Sequence, residues 1–194
     1  MAHKFNPERL ARLNDPEREK VLDPDVLWKG FGVGEPSSVI DLGAGTGFFA
    51  VRFAPRLARG GRIWACDASP VMVAWMKEHL ASAQLARVTP LEIEENAVGL
   101  PDASADLVYL VNVYHELEDP PRMLWELLRL LKPGAPLAVV DWKKEPMEHG
   151  PPVEHRVAGD EIRARMERAG LRDVRRAGEL PLHPMPIAPQ TLLE

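Results

Sequence analysis

Asp41-Leu42-Gly43-Ala44-Gly45-Thr46-Gly47 sets an acid two residues ahead of three glycines at every second position. Side chains at the glycines would obstruct positive φ values and the close approach of main-chain N–H groups to a ligand, so this is a loop suited to backbone contact. Its spacing argues against a pyrophosphate. The dinucleotide cradle needs Gly-x-Gly-x-x-Gly, whereas position 48 is Phe48 and the third glycine comes one residue early at Gly47. Asp41 points the same way, since a carboxylate at a strand tip repels phosphates and suits a cationic or ammonium-bearing ligand. Asp67 follows Gly47 by twenty residues, the separation at which an acid on the second strand of a βαβ unit accepts both hydroxyls of a ribose. Its competing role is a helix N-cap, but Ser69-Pro70 already supplies a cap and a first helical position. Further along, Asn112-Val113-Tyr114-His115-Glu116 and Asp141-Trp142 close two apolar runs with polar and aromatic groups. His115 is the candidate general base, because a neutral imidazole can take a proton from an amine or hydroxyl; the competing role is a ligand contact or a turn cap. Tyr114 is the second catalytic candidate.

These groups need elements that end where they stand. The run Val39-Ile40 reads as a buried strand delivering Asp41, and Phe49, Phe53 and Leu57, spaced by four, hold a helix on it until Pro55 kinks or ends it. Arg62 to Cys66 is a second buried strand delivering Asp67, followed by a helix from Val71 to Leu80. Val88 to Ile93 is a third strand, and Pro90, which cannot donate to a ladder, assigns it to a sheet edge. Leu107 to Val111 and Leu137 to Val140 are the continuous apolar runs that central parallel strands require. Between them Asp119-Pro120 caps a helix striped by Leu124, Leu127, Leu128 and Leu131 and stopped by Lys132-Pro133-Gly134. Upstream, Asn6-Pro7, Asp15-Pro16 and Asp23-Pro24 open short helices over 7–13, 16–21 and 24–29, the last stopped by Gly30. Downstream, a polar loop over 143–159 is long enough to fold over the active face; a helix over 160–169 stops at Gly170, and 171–176 reads as a sixth strand. Pro181, Pro184, Pro186 and Pro189 leave a seventh strand open. The candidate ligand groups all fall at or beyond strand C-termini, where open α/β sheets bind ligands.

Asp41 to Gly47 closely resembles the first motif of the class I S-adenosylmethionine-dependent methyltransferases, in particular their small single-domain type 11 members. The Leu100-Pro101 loop, Asp106 at a strand start and the polar-aromatic tip at 112–116 continue the resemblance, which covers residues 35–175 and stops at the proline-rich tail. It implies an α/β fold: a doubly wound, mostly parallel Rossmann-like sheet with helices on both faces. One domain then spans the chain, with an N-terminal helical cap (1–34), a cofactor-binding core (35–175) and the tail (176–194). The resemblance implies S-adenosyl-L-methionine as cofactor, held by Asp41, Gly43, Ala44, Gly45, Gly47, Asp67, Ala68, Asn96, Ala97 and Asn112. Asn96 and the Ala97 backbone stand where relatives hold the adenine, although Asp is commoner there and Glu94 and Glu95 compete for the role. The N-terminal helices are either a lid over cofactor and acceptor or a plain surface cap. Methyl transfer from a sulfonium is an in-line displacement that asks mainly for alignment and desolvation. About 7–11 kcal/mol of barrier is available from proximity, so no conspicuous catalytic motif is required. The expected activity is methyl transfer to a small-molecule acceptor. The alternatives are a catalytically silent cofactor-binding interaction protein and an NAD(P)-dependent oxidoreductase, the latter disfavoured by Phe48.

Composition bounds these readings. The 194 residues suffice for one domain burying about 70% of its unfolded surface. A net charge of −5, from 29 acids against 24 bases spread without blocks, argues against nucleic acid as a partner. No apolar run approaches the ~20 residues of a membrane span, the start lacks a secretory apolar segment, and one cysteine, Cys66, excludes an internal disulfide; a reducing cytoplasm is expected. The six histidines show no zinc-ligand spacing, so no metal is assigned.

Overall fold

The apolar runs pair into one sheet. In a computed structural model, which describes residues 10–148, 150–176, 183 and 186–189 (backbone alone at 11 and 186–189), β1 (Ser38–Leu42), β2 (Arg62–Asp67), β3 (Val88–Glu92), β4 (Leu107–Val111) and β5 (Pro136–Val140) are parallel. Two further strands, β6 (Arg175–Arg176) and β7 (Pro186–Pro189), complete the order β3-β2-β1-β4-β5-β7-β6. The chain winds from β1 outward to β3, then returns to the other side of β1 with β4. That reversal gives the doubly wound, mostly parallel sheet expected, with Pro90-bearing β3 at the edge.

Strand pleat sorts side chains into two cores. Val39, Ile63, Leu107, Tyr109 and Ala138 face α3 (Pro24–Phe31), α4 (Phe48–Phe53) and α5 (Pro70–His79). Ile40, Leu42, Val108, Leu110 and Val139 face α7 (Pro120–Leu130) and α8 (Gly159–Arg168). On the first face Phe31 stacks on Tyr109 with centroids 5.4 Å apart, and Phe53 meets Tyr109 edge-on at 5.3 Å. Aromatic pairs of this kind add about 0.5–1.5 kcal/mol each beyond burial. Asp41 is paired with Tyr109 across β1 and β4, so it lies at the ligand-side end of this aromatic core.

The helix signals hold with shifted ends. Asp23 accepts the N–H groups of Asp25 (2.7 Å) and Val26 (3.3 Å), but α3 runs through Gly30 to Gly32 (φ 71°), because Phe31 still belongs to the buried stripe. α1 (Leu10–Leu13) ends where expected, while the start at 7 lies outside the described residues. α2 (Arg18–Val21) begins after 16, since Asp15 spends its carboxylate on the Glu17 N–H in a local turn. α4 gives way to a 3-10 turn at Ala54–Arg56 that contains Pro55, the residue expected to kink or end it. A short α6 (Ser82–Leu85) was not anticipated. Of the sixth strand expected over 171–176 only Arg175–Arg176 pair, after Asp173 turns the chain at φ 54°. β7 does form, between β5 and β6 and antiparallel to both. Its prolines sit at its two ends, leaving Ile187 and Ala188 between them.

Candidate functional site

The glycine loop is fastened from β2. The Cys66 carbonyl accepts the N–H groups of Gly43 (2.8 Å) and Ala44 (2.9 Å), and Asp67 Oδ2 accepts that of Gly45 at 2.8 Å. Asp67 Oδ1 accepts the Ser69 N–H at 2.9 Å, while the Ser69 side chain makes no cap bond, so the cap expected of Ser69 does not form. Each carboxylate oxygen keeps a lone pair for a ligand hydroxyl. Burial raises the Asp67 carboxyl, against those two backbone bonds.

Asp41 is 3% exposed, and burial pushes its carboxyl up to about 7. The Asp67 charge adds to the rise, and the Tyr109 hydroxyl and Arg18 oppose it. Arg18, from α2, lies with its guanidinium 4.6 Å from the Phe48 ring centroid and donates to the Leu13 carbonyl. Burial, together with the Arg52 charge, pulls it down to about 10. Phe48 itself is buried, filling the position that a dinucleotide loop would leave to glycine.

At the switch between β1 and β4 the two tips interlock. A Cβ on Gly43 (φ 71°) would run into the Val113 methyls, and one on Gly45 (φ 57°) would come within 3.1 Å of Leu13 Cδ1, so α1 sits directly on the loop. Asn112 takes a left-handed φ of 61°, donates its N–H to the Val140 carbonyl at 2.8 Å, and leaves Oδ1 buried with no partner among the described residues.

Beyond β5, Asp141 organises a second group. Its Oδ1 lies 2.7 Å from His115 Nδ1, its Oδ2 accepts the His115 N–H at 2.9 Å, and Oδ1 also accepts the Trp142 N–H at 2.8 Å. Burial lowers the imidazole, but the bond and charge of Asp141, helped by Glu116, prevail and raise it above the ordinary range. The 143–159 loop is tied down by Arg156, which is buried and donates to the carbonyls of Pro151 (2.7 Å), Lys143 (3.2 Å) and Glu145 (2.8 Å). Gly150 and His183 pack on Trp142.

The structure thus brings Asp41, Gly43, Ala44, Gly45, Gly47, Asp67 and Asn112 to one edge, with His115 held at the neighbouring tip. Tyr114 is not among them. Its ring is 1% exposed in the α7–α8 core and its hydroxyl faces Arg165 and Glu161, because the 3-10 turn Tyr114–Glu116 rotates each side chain about 120° from the one before it. Ala68 is exposed beside Asp67, and Asn96 and Ala97 lie in a tight turn closed by the Glu94–Ala97 pair. Cys66 is fully buried on the α7 side. No local spacing marks Arg18, Arg156 or His183: Arg18 meets Phe48 and His183 meets Trp142 far along the chain, while Arg156 gathers carbonyls five to thirteen residues before it. The hollow lined by Gly34, Pro36, Ser37 and Asp106 lies at the opposite edge, where β1 and β4 start, and takes no part in this grouping. No helix among the described residues is long and apolar enough to cross a membrane.

The donor set is a buried carboxylate at Asp41, an amide oxygen at Asn112 without a partner among the described residues, a second carboxylate at Asp67 and a glycine loop between them. Residues 40–139 match the family model described as methyltransferase domain. The chain is 34% identical to a crystal structure described as a SAM dependent methyltransferase from Aquifex aeolicus, which covers 97% of this chain and 100% of that one with a TM-score of 0.89. It is 32% identical over 111 residues to a demethylmenaquinone methyltransferase of Thermus thermophilus, covering 57% of this chain and 50% of the relative. It is also 28% identical over 124 residues to a ubiquinone/menaquinone biosynthesis C-methyltransferase UbiE of Bordetella avium, covering 61% and 48%. The chain spans about half the length of these curated relatives.

Proposed function

The chain belongs to the methyltransferase domain family, and from that premise we propose that it moves a methyl group from S-adenosylmethionine to a small-molecule acceptor. The observation that carries this reading is the pair of acids, Asp41 and Asp67, flanking a three-glycine loop at the β1–β4 switch. When bound, the cofactor supplies a methyl group on a sulfonium, which is already an excellent leaving group. Asp41, with Asn112 Oδ1, takes the cofactor's ammonium, relieving a carboxylate that burial leaves half-protonated near neutrality. Asp67 accepts the ribose hydroxyls while holding the loop through Gly45. Gly43, Ala44, Gly45 and Gly47 let the backbone approach, Ala68 flanks the sugar, and the Asn96-Ala97 turn meets the adenine. His115, oriented by Asp141, takes a proton from the acceptor. The partner is a small molecule in the cytoplasm rather than a nucleic acid, in keeping with the net charge of −5.

Calorimetry tests the cofactor side. S-adenosylmethionine and its demethylated product should bind, NADH should not, and Asp67→Ala should cost about 1–3 kcal/mol of affinity. NADH binding without cofactor binding would overturn the assignment. Turnover is tested with methyl-labelled cofactor and fractionated cell extract, which also identifies the acceptor. With that acceptor, His115→Ala should lower kcat by about 10²–10⁴ at nearly unchanged cofactor Kd. Loss of affinity instead would make His115 a binding contact.

A further inference from the structure

His183 is 2% exposed, and neither of its ring nitrogens has a hydrogen-bond partner among the described residues. Buried polar groups are nearly always satisfied, so an imidazole with both nitrogens bare marks a place where something else completes the bonding. Its position narrows what that is. The ring lies 4.5 Å from that of Trp142, at a tilt of 46°, and Trp142 immediately follows the Asp141 that holds His115. Arg18 bears electrostatically on both Asp41 and His183, which places the imidazole over the same sheet edge as the proposed cofactor end, on the side of β5. Among the described residues, Arg18, Lys143 and Arg156 bear on it as cations and Asp141 as an anion. An ammonium group would meet three cations there, whereas a hydroxyl, above all an acidic ring hydroxyl, would be stabilised. Burial and those cations hold the imidazole down to about 4, so it stays neutral and can donate through one nitrogen while accepting through the other.

We infer that His183 is an acceptor-binding residue, with one ring nitrogen hydrogen-bonded to a hydroxyl of an aromatic methyl acceptor seated beside Trp142. The inference rests on the methyltransferase reading above. The test loads the full chain with S-adenosylhomocysteine and titrates phenol, toluene and benzylamine as probes, following binding by saturation-transfer NMR and the imidazole nitrogens by ¹⁵N shifts. Phenol should bind in preference to the other two and shift the His183 nitrogens. His183→Phe, which keeps the ring and removes its polar atoms, should weaken phenol by about tenfold, and His183→Gln, which keeps a donor and an acceptor, should restore most of that. S-adenosylhomocysteine affinity should be the same in all three proteins, and that measurement separates the two readings. If the wild type fails to bind S-adenosylhomocysteine, the methyltransferase reading falls and takes this one with it. If the product binds but phenol binds equally to wild type and His183→Phe, or no better than toluene or benzylamine, the acceptor seat alone is overturned. Should His183→Phe fail to fold, phenol leaving the His183 nitrogens unshifted in the wild type overturns it equally.

Discussion

Asp41 couples proton to ligand. Its carboxyl holds a proton more tightly folded, at about 7, than at the ordinary 3.8, so its contribution to stability is present below about 4 and is lost as pH rises to about 7. A cationic ligand beside it favours the ionised form and reverses that loss. Cofactor affinity should therefore rise with pH between about 5 and 7, by up to about tenfold per pH unit, and level off above. Calorimetry in buffers of different ionisation enthalpy should show proton release near pH 6, and Asp41→Asn should flatten the profile while weakening binding. An unchanged slope in that variant would place the titrating group elsewhere. The places of Asp41, Asp67 and His115 at or just beyond strand ends were legible in the sequence because each closes or follows an apolar run. Tyr109 beneath Asp41 and Arg18 above it were not, since pairing across strands and helix docking bring them there. Tyr114 misled for a related reason: a 3-10 turn follows β4, so the side chains of 114 and 115 part, one to the α7–α8 core and the other to Asp141.

Elements were read well where local chemistry decides them and poorly where partners do. Proline assigned β3 to the edge, and Asp119 opened α7 with a bond to the Arg122 N–H, both from residues within a few positions. The Gly43–Val113 contact, by contrast, joins two loops seventy residues apart and sets how closely β1 and β4 tips approach. Gly43→Ala meets two penalties there: a left-handed backbone, costing about 1–2 kcal/mol for a residue with a Cβ, and overlap with the Val113 methyls, costing about 1–3 kcal/mol. The variant should melt about 4 °C or more lower and bind cofactor weakly. Adding Val113→Ala relieves the overlap and leaves the backbone term, so the double variant should recover part of the melting temperature. Recovery of none would show that the clash is not what Val113 contributes.

At the scale of the whole molecule, the tail is where the sequence says least. Four prolines leave a seventh strand open, and β7 forms with only Ile187 and Ala188 between its terminal prolines because β5 and β6 flank it on both sides. Pairing of that kind joins residues 136–138 to 187–189, about fifty positions away, and no local pattern announces it. A chain ending at Arg176 should reveal what the pairing contributes. β6 would lose its partner strand, and β5, a continuous apolar strand, would become an open edge able to pair with a second copy. Loss of the ladder at roughly 1 kcal/mol per hydrogen bond should lower the melting temperature by several degrees, and light scattering should show concentration-dependent association. Asp41, Gly43, Gly45 and Asp67 stand on β1, β2 and their loops, two strands away, so S-adenosylhomocysteine should still bind the fraction that remains folded. Acceptor turnover should fall further than cofactor affinity, because His183 leaves with the tail. A truncated chain that associates no more than the full chain, with an unchanged melting temperature, would show that β7 adds nothing to the sheet.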